Sequence, residues 1–139
     1  MLTIVGLILS ISILVVVHEW GHYQVARWCG VPVLAFSVGF GKVLYRYRDK
    51  RGCEWRISAV PLGGYVKMLA LSEREMNEQD GLGIPDEAYR NAFETKSVYK
   101  RLAVVAAGPL MNIILAVLIY AALAMLGTWE PVPAVGEPP

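Results

Sequence analysis

The stretch HEWGH at residues 18–22 holds the only two histidines of the chain, with a glutamate directly after the first. His18 and His22 are four apart, so on a helix they project from one face, one turn above the other. Two imidazoles so placed reach one zinc ion at about 2.0 to 2.1 Å. Glu19 flanks that face and reaches a metal-bound water without binding the metal. In such a motif zinc lowers the pKa of the water towards about 7, the glutamate takes its proton, and hydroxide attacks a carbonyl. Zn2+ is therefore the expected cofactor, with His18 and His22 as metal ligands and Glu19 as the catalytic base. Gly21 leaves room for a partner helix or a substrate backbone. An HxxxH spacing alone arises often by chance. Here it follows an uncharged aliphatic run, where ionisable groups are expensive and mark function.

The elements that must position this motif are apolar. Composition is 55% hydrophobic and 18% charged, below the roughly 25% charge of ordinary soluble domains. Residues 4–17 carry no charge, and residues 102–126 form a second uncharged run of 25. A span needs about 20 mostly apolar residues. The second run meets that alone, and the first meets it if its helix continues through HEWGHYQVA. A cleaved signal peptide predicts a basic start, which Met-Leu-Thr lacks. The expected fold is an α-helical membrane protein: two transmembrane helices with a small membrane-associated antiparallel β-sheet between them. The first helix, within residues 1–30, runs from about residue 3 to Cys29 and stops at Gly30 and Val31-Pro32. From Leu2 to His18 is 16 residues, roughly 24 Å at 1.5 Å per residue, inside a hydrocarbon core about 30 Å thick.

Residues 31–70 change character. VLAFSVGF, KVLYRYR, CEWRISAV and GYVKML are short runs rich in β-branched and aromatic residues, separated by Gly41, DKRG and PLGG. They predict three or four antiparallel strands, with DKRG as a hairpin turn. Glycine-bounded edges of this sheet suit strand addition by an unwound substrate segment; a cap over the helix ends is an equal reading. The acidic residues 71–97 read as a polar cytosolic loop with a helical turn or two. The second helix occupies residues 98–127, with a kink or local opening expected at Gly108-Pro109. Residues 128–139 read as a proline-rich linker.

Net charge is +1, which points to no nucleic-acid partner. All 13 Lys and Arg lie between Arg27 and Arg101. Basic residues near span ends stay cytoplasmic, so both termini are expected outside and residues about 30–100 on the cytosolic side. Cys29 and Cys53 then face a reducing compartment and are expected as free thiols.

The uncharged span ending in HEWGH, followed by SVGFGKVL, ISAVPLGGYVKML and FETKSVYKRLAVVAAGPLMNIILA, resembles the site-2 protease family of intramembrane zinc metalloproteases, most closely its bacterial sigma-E-regulating branch. The resemblance implies zinc ligation by His18 and His22 with Glu19 as catalytic glutamate. It places a GFG loop at Gly39, Phe40 and Gly41, and a glycine-containing membrane-associated β-loop at Pro61 to Lys67, with Gly63, Gly64 and Tyr65. Its AGPxxN pattern falls on Ala107, Gly108, Pro109 and Asn112. Gly39, Phe40, Gly41, Gly63, Gly64, Tyr65 and Asn112 are the substrate-binding candidates. The resemblance also implies a bacterial inner-membrane enzyme, surrounded by membrane lipids, that cuts the transmembrane helix of a single-pass substrate of anti-sigma-factor type. It implies a PDZ domain after the second span and a third zinc ligand, the aspartate of an LDG motif, on a later helix. No LDG occurs here; the only Asp-Gly is Asp80-Gly81, in the polar loop. Catalytic zinc wants three protein ligands and a water, so these 139 residues are expected to be the N-terminal part of a longer enzyme, inactive alone. The competing readings are another membrane-bound HExxH zinc peptidase and a truncated, inactive membrane adaptor.

Overall fold

In the computed structural model, residues 1–127 are described. The first helix, α1 (Leu2–Trp28), leads into two strands, β1 (Val33–Arg48) and β2 (Glu54–Met68). A polar connection with one short helix, α2 (Arg74–Gln79), precedes the last helix, α3 (Val98–Leu126). The linker expected at residues 128–139 lies outside the described residues.

α1 is a single helix of 27 residues, so the motif rides on the same rod as the aliphatic run. Its end follows from Gly30, at φ +77°. That left-handed turn lets the Gly30 amide donate to the Arg27 carbonyl at 3.0 Å and the Val31 amide to the Ala26 carbonyl at 2.9 Å, closing two of the open carbonyls of the last turn. α3 begins at Ser97, whose side chain accepts from the Lys100 amide. It then runs unbroken for 29 residues with Pro109 inside it. No break interrupts the helix at Gly108-Pro109, where a kink or local opening was expected. Both helices are long and apolar enough to cross a membrane, and side chains such as Leu7, Val105 and Leu118 point outward from them.

The sheet differs from expectation. Two long strands pair antiparallel, where three or four separate ones were expected. The four sequence runs are present, joined pairwise by bends at glycines. Gly39 and Gly63, at φ +86° and +122°, turn the chain without ending the pairing. β1 residues 35–38 are consequently flanked twice, by β2 residues 64–67 on one side and 54–57 on the other. Residues 43–48 pair with 54–58 only. The ladder therefore runs 43–48, 54–58, 35–38, 64–68, with two outer rims.

The hairpin turn forms as the sequence predicts. Asp49 Oδ1 accepts the amides of Arg51 and Cys53 at 2.8 and 3.0 Å, and Oδ2 accepts the Trp55 indole N–H at 3.1 Å. Trp55 stacks on Phe36 at 4.8 Å, and Tyr23 of α1 meets both rings edge-on at 5.8 and 5.2 Å. This aromatic triad fastens the sheet to the C-terminal end of α1, within a core that includes Ala26, Val31 and Val104. Glu54 is shared by Arg56, Arg48 and Arg46 at 2.7, 3.5 and 3.8 Å. The Arg56 hydrogen bond holds its carboxyl below the usual range.

The polar connection is more than a solvated loop. Leu69, Tyr89 and Ala92 form a small second core. Buried Asn77 accepts from Lys67 Nζ at 3.2 Å and donates to the Tyr89 hydroxyl at 3.4 Å. Of the acidic residues, Glu94 accepts the Leu71 and Ser72 amides, and Glu78 and Asp86 pair with Arg74.

Both cysteines are free. Cys53 is 3% exposed, and burial, with Asp49 adding to it, pushes its thiol up to about 11. Thiolate is the reactive form. At pH 8, alkylation followed by mass mapping should label half-buried Cys29 and spare Cys53 until the chain is unfolded. Equal labelling of both in the folded protein would contradict this packing.

Candidate metal centre

α1 and α3 pack antiparallel, and their crossing point is where the motif lies. Gly21 is buried there, and a Cβ on it would sit 2.6 Å from the Ala107 carbonyl oxygen. A Cβ on Gly108 would sit 2.7 Å from both Nε2 and Cε1 of His18, and would collide with His22 Nε2. The two glycines let the helix backbones approach until α3 forms the wall of the histidine pair. The absence of a side chain, not backbone flexibility, is what they supply here.

Against that wall the imidazoles converge. His18 Nε2 and His22 Nε2 are 3.1 Å apart, with the rings edge-on at 81°. Each ring is held from α3 by its other nitrogen. His22 Nδ1 lies 2.7 Å from the Val104 carbonyl, and His18 Nδ1 lies 3.2 Å from Asn112 Nδ2. A carbonyl only accepts, so His22 Nδ1 is the donor of this bond, the orientation in which Nε2 of a neutral ring is free for a metal. Val104, Gly108 and Asn112 are spaced by four, so one stripe of α3 faces both rings.

The geometry fits a shared cation. Two nitrogens at 2.0–2.1 Å from a tetrahedral zinc lie about 3.3 Å apart, close to the separation seen. A buried carbonyl holding the far nitrogen of a ligating histidine is the usual way such a ring is oriented. Asn112 Oδ1 is buried and has no hydrogen-bond partner, one rotation away from the His18 ring. Among the described residues, no cluster of three or more His, Cys, Asp or Glu could hold a metal. The chain thus brings two ligands together. Glu19 is half-buried and follows His18 directly in the helix.

The remaining candidates form a second group on the sheet. Phe40 stacks on Tyr65 at 6.4 Å and 18°, and its ring covers Gly63 so closely that a Cβ there would collide with it. A Cβ on Gly64 would meet the Ser37 carbonyl at 2.5 Å, and Gly41 stands beside Val60. The Tyr65 hydroxyl accepts from Arg56 at 2.9 Å. The GFG loop and the PLGG loop are therefore one structural tip. That tip reaches α1: the Ser12 hydroxyl donates to the Pro61 carbonyl. Ser12 precedes His18 by six residues, about 9 Å along the helix. Asn112 stands apart from this group, against His18.

Ser12 and the Val104 carbonyl escape the sequence reading. Ser12 is one of two serines, with Ser10, in the aliphatic run, and a backbone carbonyl carries no residue signature. The four-residue spacing from Val104 through Gly108 to Asn112 is the signal that could have found the wall.

The sequence profile of peptidase family M50 matches residues 6–135. The chain is 53% identical to a protein of Ralstonia nicotianae over its whole length, covering 30% of that protein. It is 49% identical to one of Agrobacterium fabrum over 86% of this chain and 32% of the other. It is 47% identical to one of Xylella fastidiosa over 94% and 28%. All three carry the name "putative zinc metalloprotease". The chain spans about a third of the length of these relatives.

Proposed function

Because this chain belongs to peptidase family M50, we propose that it is the N-terminal catalytic part of a zinc metalloendopeptidase that cuts its substrate within the membrane. The observation that carries this reading is the convergence of His18 and His22 to 3.1 Å between Nε2 atoms, at the crossing of two helices long and apolar enough to span a bilayer.

His18 and His22 would hold the zinc, Val104 fixing the His22 ring. A bound zinc ion supplies Lewis-acid polarisation and lowers the pKa of water. Glu19 takes the proton of the attacking water and returns it to the leaving amine. Gly21 and Gly108 keep α3 close enough to exclude bulk water from that side of the pair. A catalytic zinc site takes three protein ligands, so a further ligand from outside the described residues belongs to this reading.

The substrate is a membrane-spanning segment of a single-pass protein, of anti-sigma-factor type, cut by regulated intramembrane proteolysis. Helical hydrogen bonds shield a scissile carbonyl, so the segment must unwind first. The sheet rim at residues 64–68, beside the tip of Phe40, Gly63 and Tyr65, offers unpaired backbone groups to such an extended chain. The enzyme sits in the bacterial inner membrane with residues about 30–100 on the cytosolic side. What supports this orientation is the confinement of all 13 Lys and Arg to residues 27–101.

Metal analysis of the full-length protein tests the reading. The native protein should carry one zinc per chain, and His22→Ala should lose it; chelation should stop cleavage of a membrane substrate. A native protein without zinc, or one whose zinc survives His22→Ala, overturns the proposal. A zinc-loaded protein that cleaves nothing points to the adaptor reading instead.

A further inference from the structure

The C-terminal end of α1 borders a cavity that the metal centre does not use. Its volume is about 230 Å³, and Tyr23, Arg27, Gly30, Pro32, Arg51 and Cys53 are in its lining. Lys96 adds a third cation beside Gly30, where a Cβ would stand 3.4 Å from its Nζ. Arg27 is held in place: Nη1 donates to the Tyr23 hydroxyl at 3.1 Å, and Cζ lies 5.4 Å from the centre of that buried ring. A guanidinium fixed at one nitrogen keeps its other N–H groups for an oxyanion. Among the described residues, Arg27, Arg51 and Lys96 form no ion pair. Asp49, the acid of the adjoining turn, already accepts three N–H groups. The Ala26 and Arg27 carbonyls are capped by the Val31 and Gly30 amides, so cations dominate the opening.

Depth narrows what anion fits. From Leu2 to Arg27 is 25 residues, roughly 37 Å of helix at 1.5 Å per residue. With Leu2 at one edge of a hydrocarbon core about 30 Å thick, Arg27 lies in the opposite headgroup layer. Two aromatic side chains mark the same level. Trp28 is 76% exposed and Tyr99, at the start of α3, is 85% exposed, and such residues collect where membrane meets water. The two helix ends are adjacent there, Cys29 Sγ standing 4.0 Å from the Lys100 carbonyl. We propose that this cavity binds the phosphate of an anionic membrane lipid, with Arg27 and Arg51 as its main contacts and Lys96 adding charge from the side. The phosphate joins α1 to the hairpin turn that carries Arg51, and so braces the sheet against the helix. This site rests on α1 spanning the bilayer and is independent of the metal.

Lipid titration of the full-length protein in mild detergent, read by native mass spectrometry, counts the molecules held. The native protein should retain one phosphatidylglycerol and bind phosphatidylcholine, whose phosphate carries its own cation, about tenfold more weakly. Arg51→Gln, at an exposed position, should weaken phosphatidylglycerol about fivefold, the weight of one basic residue at an anionic surface. Adding Arg27→Gln should bring the loss to about 25-fold. Lys42→Gln with Arg90→Gln removes the same charge from exposed positions outside the cavity and should cost less than about twofold. Equal weakening by the two double variants overturns the proposal, as does equal retention of the two lipids or native-like binding in Arg51→Gln. Displacement of the lipid by inorganic phosphate overturns its assignment to a headgroup. A full-length protein stripped from membranes by alkaline carbonate would instead overturn the span on which the site rests.

Discussion

Glu19→Gln keeps the metal and lowers turnover about 10²- to 10⁴-fold, the range that a positioned general base supplies. Glutamine matches glutamate in size, so α1 and the histidine pair keep their packing. Only proton acceptance is lost. The ion pairs of the described residues all lie between Arg46 and Asp86, so neutralising Glu19 breaks none of them. Zinc content and cleavage, measured on the same preparation of full-length protein, check both halves of the prediction. Turnover within tenfold of native would remove Glu19 from the reaction. Loss of zinc alongside activity would make it a ligand.

Gly108→Ala is expected to be nearly as damaging, for a steric reason. Helix propensity alone favours alanine over glycine by about 0.8–1.0 kcal/mol, so a change felt only by α3 would stabilise it. The new methyl carbon, however, would lie 2.7 Å from His18 Nε2 and against His22 Nε2. The rings must part or the helices must separate, and a misplacement of about 1 Å at a reacting centre costs about 10²-fold in rate. Gly6→Ala is the internal control, since a Cβ there meets nothing within 4 Å. Metal affinity and turnover should fall in the first variant and hold in the second. Native-like metal affinity in Gly108→Ala would mean that α3 does not form the wall of the site.

The sequence shows the α1 half of the site plainly, because helical spacing puts His18 and His22 on one face without reference to anything else. The α3 half depends on contacts across 82 and 94 positions, His22 to Val104 and His18 to Asn112; the spacing by four marks one stripe of α3 but not the partner it faces. Resemblance marks Gly108 and Asn112 as notable but assigns Asn112 to substrate; the structure sets it against His18. In the sheet, each of the four runs is legible from its β-branched and aromatic residues. Their joining is not, because a glycine that bends a strand and a glycine that ends one look alike in sequence. The acidic run misleads in a similar way. Its charges are counted easily, while Leu69, Tyr89 and Ala92 are too widely spaced to announce a core.

The doubly flanked segment 35–38 has one more effect. With its centre enclosed, the sheet can be extended only along its outer rims, and one of them, residues 43–48, carries Arg46 and Arg48 with side chains 65% and 64% exposed. An unprotected strand edge invites a second molecule to dock and seed aggregation, and cationic side chains along it are a standard deterrent. Two copies meeting rim to rim would oppose like charges at that margin. Self-association is therefore expected to be discouraged at that margin, while the rim at residues 64–68 stays open to an extended chain.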